Sequence, residues 1–140
     1  MGDTGARDLM TTNVYAVSGR VLIAGSCLEQ VYPEAFAELA AEADQVYTLC
    51  LETTHVNMAI TKLSAVFGTG QVERMVIATV DRSPHCTQMH WIRHEIERTL
   101  PGPAPIESVV VTEGAIVPVP ERAIELSKTL AHLAEIVPAD

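Results

Sequence analysis

Aromatic and basic side chains are scarce in this chain: among 140 residues there are one Trp, three Tyr and two Phe, and nine Lys and Arg face eighteen Asp and Glu. The net charge of -9 repels phosphate backbones, and no basic stripe interleaved with aromatics offsets it. Nucleic acid is therefore not expected as a partner. No stretch reaches the roughly 18 uncharged apolar residues that span a bilayer, and Met1 to Thr12 carries no hydrophobic signal core. A cytoplasmic protein without a membrane partner is expected. Cysteine is limited to three residues. In a reducing compartment an odd number argues against a disulfide framework and leaves metal binding, thiol chemistry or simple burial. Cys-x-x-Cys is missing, which removes a thioredoxin-type dithiol, and Gly25-Ser26-Cys27 falls short of the Gly-x-Gly-x-x-Gly of dinucleotide binding.

What is present is aliphatic. Hydrophobic residues make up 48% of the chain, enough for a folded core. One domain over 13–140 is expected, behind a flexible N-terminus over 1–12. Apolar β-type runs alternate with helical patterns, the mark of a βαβ sheet. Val14–Val17 and Val21–Ala24, split by Ser18-Gly19-Arg20, predict a hairpin or one irregular strand, and Gln45–Leu51 a second strand. Pro33 opens a helix to about Ala43. Val56, Ala59, Ile60, Leu63, Val66 and Phe67 repeat at helical spacing, with Thr54 as cap and Gly68 at the end. Val72–Val80 predicts a third strand, and Ser83-Pro84 the start of a helix to about Leu100 with Met89, Ile92, Ile96 and Leu100 inward. After the break at Pro101–Pro105 come a strand at Ser108–Thr112, a turn at Glu113-Gly114 and a short returning strand at Ala115–Val119. One last helix is predicted from Pro120 to Val137, with Ala123, Leu126, Leu130, Leu133 and Val137 inward. The fold class expected is α/β, a small three-layer sandwich. Its mostly parallel, flavodoxin-like sheet has about four parallel strands plus short hairpin additions, in which the first strand lies between the second and third.

All three cysteines follow a predicted strand: Cys27, Cys50 and Cys86. On a parallel sheet this places them along the carboxyl edge, where ligands bind, with Cys27 and Cys86 flanking the point where strand order reverses. The segment Ser83-Pro84-His85-Cys86 puts Cys86 in a first helical turn, where the positive end of the helix dipole favours thiolate. Cys86, His90 and His94 follow one helix face at metal-ligand spacing, with Glu97 a turn further on. Cys86 and His94 lie about 12 Å apart along the axis, too far for one ion. The preferred set is therefore Cys27, Cys50 and Cys86, with His85, His55 or His90 as a fourth ligand or supporting donor. Three thiolates suit zinc or an iron–sulfur cluster with one non-cysteine position. A phosphatase-type loop is set aside: six residues separate Cys86 from Arg93, one more than that loop has, and none is glycine.

The run Val80-Asp81-Arg82-Ser83-Pro84-His85-Cys86-Thr87-Gln88-Met89-His90 resembles the Asp-x-Ser-Pro-His-Cys segment of small prokaryotic single-domain proteins loosely labelled as iron–sulfur or ferredoxin-related. The resemblance extends from about Val21 to the final helix and implies that Ser83, Pro84, His85 and Cys86 belong to a site. The closely spaced four-cysteine run of a ferredoxin is missing.

Three functions are compatible with these residues. The leading expectation is a metal- or iron–sulfur-binding module with a redox or electron-transfer role and a redox protein as partner. Within that same reading, zinc with an open position would supply activated water, with Glu52 or Asp81 as base; the alternative makes Cys86 the nucleophile of sulfur or acyl transfer with His85, His55 or His90 as acid/base. The third is a non-catalytic homodimer built on the helix bearing His90 and Trp91.

Overall fold

The computed structural model describes residues 5–139. Its sheet has six strands: β1 (Arg7–Asp8), β2 (Gly19–Gly25), β3 (Gln45–Leu49), β4 (Val72–Val80), β5 (Ile106–Thr112) and β6 (Ala115–Val119), in the order β1-β3-β2-β4-β5-β6. All neighbours are parallel except β5 and β6, which form a hairpin. The expected arrangement, first long strand between second and third, is present. The β5–β6 turn at Glu113-Gly114 holds both residues at positive φ, 51° and 81°, as a tight two-residue hairpin demands.

Helices cover both faces. α1 (Leu28–Val31) and α2 (Pro33–Ala41) join β2 to β3, α3 (Val56–Gly68) joins β3 to β4, and α4 (Pro84–Thr99) joins β4 to β5. The central strands are apolar at odd and even positions alike because each face is buried. Leu22, Ala24, Val46, Ala78 and Val109 pack with Leu28 and Phe36 of the α1–α2 layer. Val21, Ile23, Leu49, Met75 and Ile77 pack with Leu63 and Val66 of α3 and with Met89, Ile92 and Ile96 of α4. The alternation of strand side chains thus splits one sequence run between two cores.

Four local expectations need correction. Val14–Ala16 is a 3-10 turn capped by Asn13, whose side chain accepts from the Tyr15 amide, and not a strand. Local side-chain capping there outcompetes strand pairing. The cap of α3 is His55, without a side-chain cap bond, in place of Thr54; the helix ends at Gly68 as expected, and Gly70 follows with φ of 72°. The final helix is two, α5 (Glu121–Leu126) and α6 (Leu130–Ile136), interrupted at Ser127–Thr129. Ile124 is the residue it buries, whereas Ala123, Leu130 and Val137 are exposed. Of the segment expected to be flexible, residues 1–4 lie outside the described residues. Within 5–12, Arg7 and Asp8 pair with Tyr47 and Thr48, and Leu9 is fully buried.

α5 is fastened to α4 by polar contacts: Trp91 Nε1 donates to Ser127 Oγ at 3.0 Å, and His94 Nδ1 meets Glu121 Oε1 at 2.6 Å. His94 and Trp91, read from sequence as metal-spaced and dimer-forming residues, both have intramolecular partners.

Candidate functional site

The carboxyl ends of β2, β3 and β4 and the first turn of α4 surround a cavity of about 380 Å³. Cys27, Cys50, Cys86, Glu52, Ser83 and His85 line it. Parallel pairing brings the three thiols to this edge: Ala24 is level with both Thr48 and Ala78, so chain segments leaving the three strands emerge side by side. The edge is tied together by the Ser26 amide, which donates to Leu49 O at 3.1 Å.

Each cysteine is placed differently. Cys27 is the N-cap residue of α1 and is exposed. Cys50 is partly buried in the turn after β3, where its carbonyl accepts from the Thr53 and Thr54 amides and the Thr53 hydroxyl. Cys86 is buried in the first turn of α4. That helix begins as its sequence predicts: Ser83 Oγ accepts from the Cys86 amide at 3.4 Å, and Pro84 fills a position needing no amide donor. Arg82, just before the cap, has φ of 72°, a left-handed conformation that costs a non-glycine residue about 1 kcal/mol. The strained turn swings α4 back over the ends of the strands.

Gly25 makes the close approach possible. A Cβ there would lie 3.2 Å from Cys86 Sγ and 3.8 Å from Met89 Sδ. Cys86 thus lies directly over the end of β2, two residues before Cys27. Cys27 is exposed and also lines the cavity. Burial raises its pKa, and the neighbouring Cys86, with a smaller contribution from Cys50, raises it further.

The histidines separate. His85 is at the cavity mouth, its Nδ1 3.5 Å from Glu52 Oε1, with both side chains largely in solvent. His55 caps α3 and does not line the cavity. His90 turns into the core, where its Nε2 is 2.8 Å from Thr79 Oγ1 and its Nδ1 has no partner. Burial first, and Arg93 second, lower its pKa to about 4. It therefore carries no charge at neutral pH. Asp81 is exposed outside the cavity lining. Among the described residues no three His, Cys, Asp or Glu side chains are gathered closely enough to hold a metal ion as they stand. No histidine nitrogen hydrogen-bonds a cysteine among them either.

Gln30 and Met89 also line the cavity, and sequence reasoning did not assign them to it. Met89 falls one turn after Cys86, so the same helical spacing that marked it as core also brings its thioether under the site.

A family model described as a Rossmann-like domain matches residues 17–137. The chain belongs to the Rossmann-like domain family. No curated protein matches it. The cavity of this Rossmann-like domain lies at the reversal of strand order, between the ends of β2 and β4, the position at which open α/β sheets bind ligands. No helix among the described residues is long and apolar enough to cross a membrane.

Proposed function

We propose that this Rossmann-like domain is a metal- or iron–sulfur-binding module whose protein ligands are Cys27, Cys50 and Cys86. The observation that carries the reading is that every cysteine of the chain, though far apart in sequence, lines one cavity at the strand-reversal edge. Thiolates are soft ligands, and a three-thiolate set leaves one position for His85, Glu52 or an exogenous group. Binding requires Cys27 and Cys50 to turn about χ1 toward Cys86; neither side chain is locked by full burial. A cluster held at this edge would exchange electrons with a redox protein docking over the cavity mouth. The nucleophile reading has less support, since a catalytic thiol needs a base within hydrogen-bond reach and His85 is turned to Glu52.

The test is anaerobic purification without a metal-affinity tag, followed by iron, zinc and acid-labile sulfide determination per chain. Stoichiometric metal in the native protein, lost in Cys86→Ser and reduced in Cys27→Ser, is the expected result. Sulfide distinguishes a cluster from zinc. A native protein that is metal-free as isolated and takes up neither zinc nor a reconstituted cluster overturns the proposal.

A further inference from the structure

We propose that Cys27 and Cys86 form a dithiol/disulfide couple that exchanges with low-molecular-weight disulfides, with Cys27 as the attacking thiol and Cys86 as the resolving one. The inference goes beyond metal binding and needs no ion. Three observations on the geometry support it. Both cysteines line one cavity. Cys27 is exposed whereas Cys86 is buried, so an external disulfide can reach the first and not the second. Gly25 leaves the space that Cys86 Sγ occupies, which sets the buried sulfur at the end of the strand from which Cys27 emerges. The pair is separated by 59 positions in sequence and joined by the parallel register of β2 and β4. A Cys-x-x-Cys search cannot find such a couple.

The exchange balances in two steps. The Cys27 thiolate attacks one sulfur of the external disulfide, forming a mixed disulfide and expelling the first small thiolate. The Cys86 thiolate then attacks the Cys27 sulfur of that mixed disulfide, closing the Cys27–Cys86 bond and expelling the second. Two protein thiols are oxidised, one external disulfide is reduced to two thiols, and the two protons lost by the cysteines pass to the products. Cys50, partly buried in the same cavity, stays reduced.

The experiment uses oxidised glutathione as the probe on the full chain, both as isolated and after treatment with a chelator, with alkylation and mass spectrometry as readout. The native protein is expected to lose two hydrogens, yield a Cys27–Cys86 cross-linked peptide with Cys50 still alkylatable, and revert with dithiothreitol. Cys86→Ser is expected to stop at a stable glutathione adduct on Cys27. Cys27→Ser, a change at an exposed position that leaves the core intact, is expected to form neither adduct nor cross-link in the folded state. Three free thiols at every glutathione ratio after chelation, a persistent Cys27 adduct in the native chain, or a Cys27–Cys50 bond would each overturn the assignment. Metal measured in the same samples keeps the two proposals apart. A metal-free protein that forms the disulfide defeats the metal reading alone; a metal-loaded protein that resists glutathione even after chelation defeats this one alone.

Discussion

Gly25 and Cys86 meet across the end of the sheet so closely that a single methyl group on Gly25 would lie 3.2 Å from the Cys86 sulfur. The contact joins the last residue of β2 to the first turn of α4, the two elements that bound the cavity.

Gly25→Ala is therefore expected to destabilise the protein, although replacing a strand glycine by alanine ordinarily helps. Gly25 has no positive φ, so backbone conformation does not oppose the change. The sign is decided by packing: Cys86, Met89 and the Ala78 carbonyl all lie within 4 Å of the new methyl. Overpacking of this kind costs about 1–3 kcal/mol. Urea unfolding should show a lower midpoint, and Cys86 should alkylate faster in the folded state. Unchanged stability together with unchanged alkylation would mean that the sulfur moves aside freely and is not held by the strand end.

His90 makes stability pH-dependent in a specific window. Its folded pKa of about 4 lies below the usual 6.5, so the unfolded chain binds a proton that the folded chain excludes. Stability is fully present above about pH 6.5 and falls as pH drops toward 4, at about 1.4 kcal/mol per pH unit for this one group. The total amounts to about 3 kcal/mol. His90→Gln retains a hydrogen-bonding group for Thr79 and removes the titration. Its stability relative to the native protein, from urea unfolding, should be lowest at pH 7 and should rise by about 3 kcal/mol toward pH 4. A constant difference between the two proteins across pH 4 to 7 would show that the imidazole takes up its proton without opposing the fold.

α5 is expected to depend on the Trp91–Ser127 and His94–Glu121 contacts, because it buries little besides Ile124. Trp91→Phe keeps an aromatic side chain, though a smaller one, and removes the indole donor, at about 1 kcal/mol for a hydrogen bond of this kind. Limited proteolysis should then cut near Ser127–Thr129 several-fold faster while the sheet survives. Equal cutting rates would place the hold on α5 in its apolar contacts instead.

The sheet was legible because parallel strands buried on both faces leave largely apolar runs, and Val21–Ala24, Val46–Leu49 and Met75–Val80 are such runs. Strand order was expected from the common flavodoxin-like arrangement and not from any particular residue. β1 left no such trace: two charged residues, Arg7 and Asp8, pair only through their backbone. The final helix was misread because Leu130 and Val137 fit the helical period yet have no neighbouring layer to cover them. At the edge, the gathering of Cys27, Cys50 and Cys86 was readable from strand ends alone. The fates of the histidines were not. His90 and His94 share a helical face by spacing, but Thr79 and Glu121, which decide where each imidazole points, come from distant segments.

Arg82 offers the last prediction, and it links stability to the site. Its φ of 72° follows β4 directly and precedes the Ser83 cap, so the turn that aims Cys86 over Gly25 is built on a conformation glycine adopts without penalty. The Asp81 amide anchors the same turn by donating to Val111 O at 3.1 Å. Arg82 is exposed, and a guanidinium in solvent adds little that glycine would lose. Relief of the strain should outweigh the greater entropy of a glycine in the unfolded chain, since both terms are near 1 kcal/mol but only the arginine pays its own in the folded state. Arg82→Gly is expected to leave stability equal or raised by up to about 1 kcal/mol, with thiol reactivity unchanged, whereas Arg82→Val, β-branched at positive φ, should lower it by more than that. Thermal unfolding of the two variants beside the native protein decides the matter. A marked loss in the glycine variant would mean that the arginine side chain itself holds the turn, and that the approach of α4 to the strand ends depends on it.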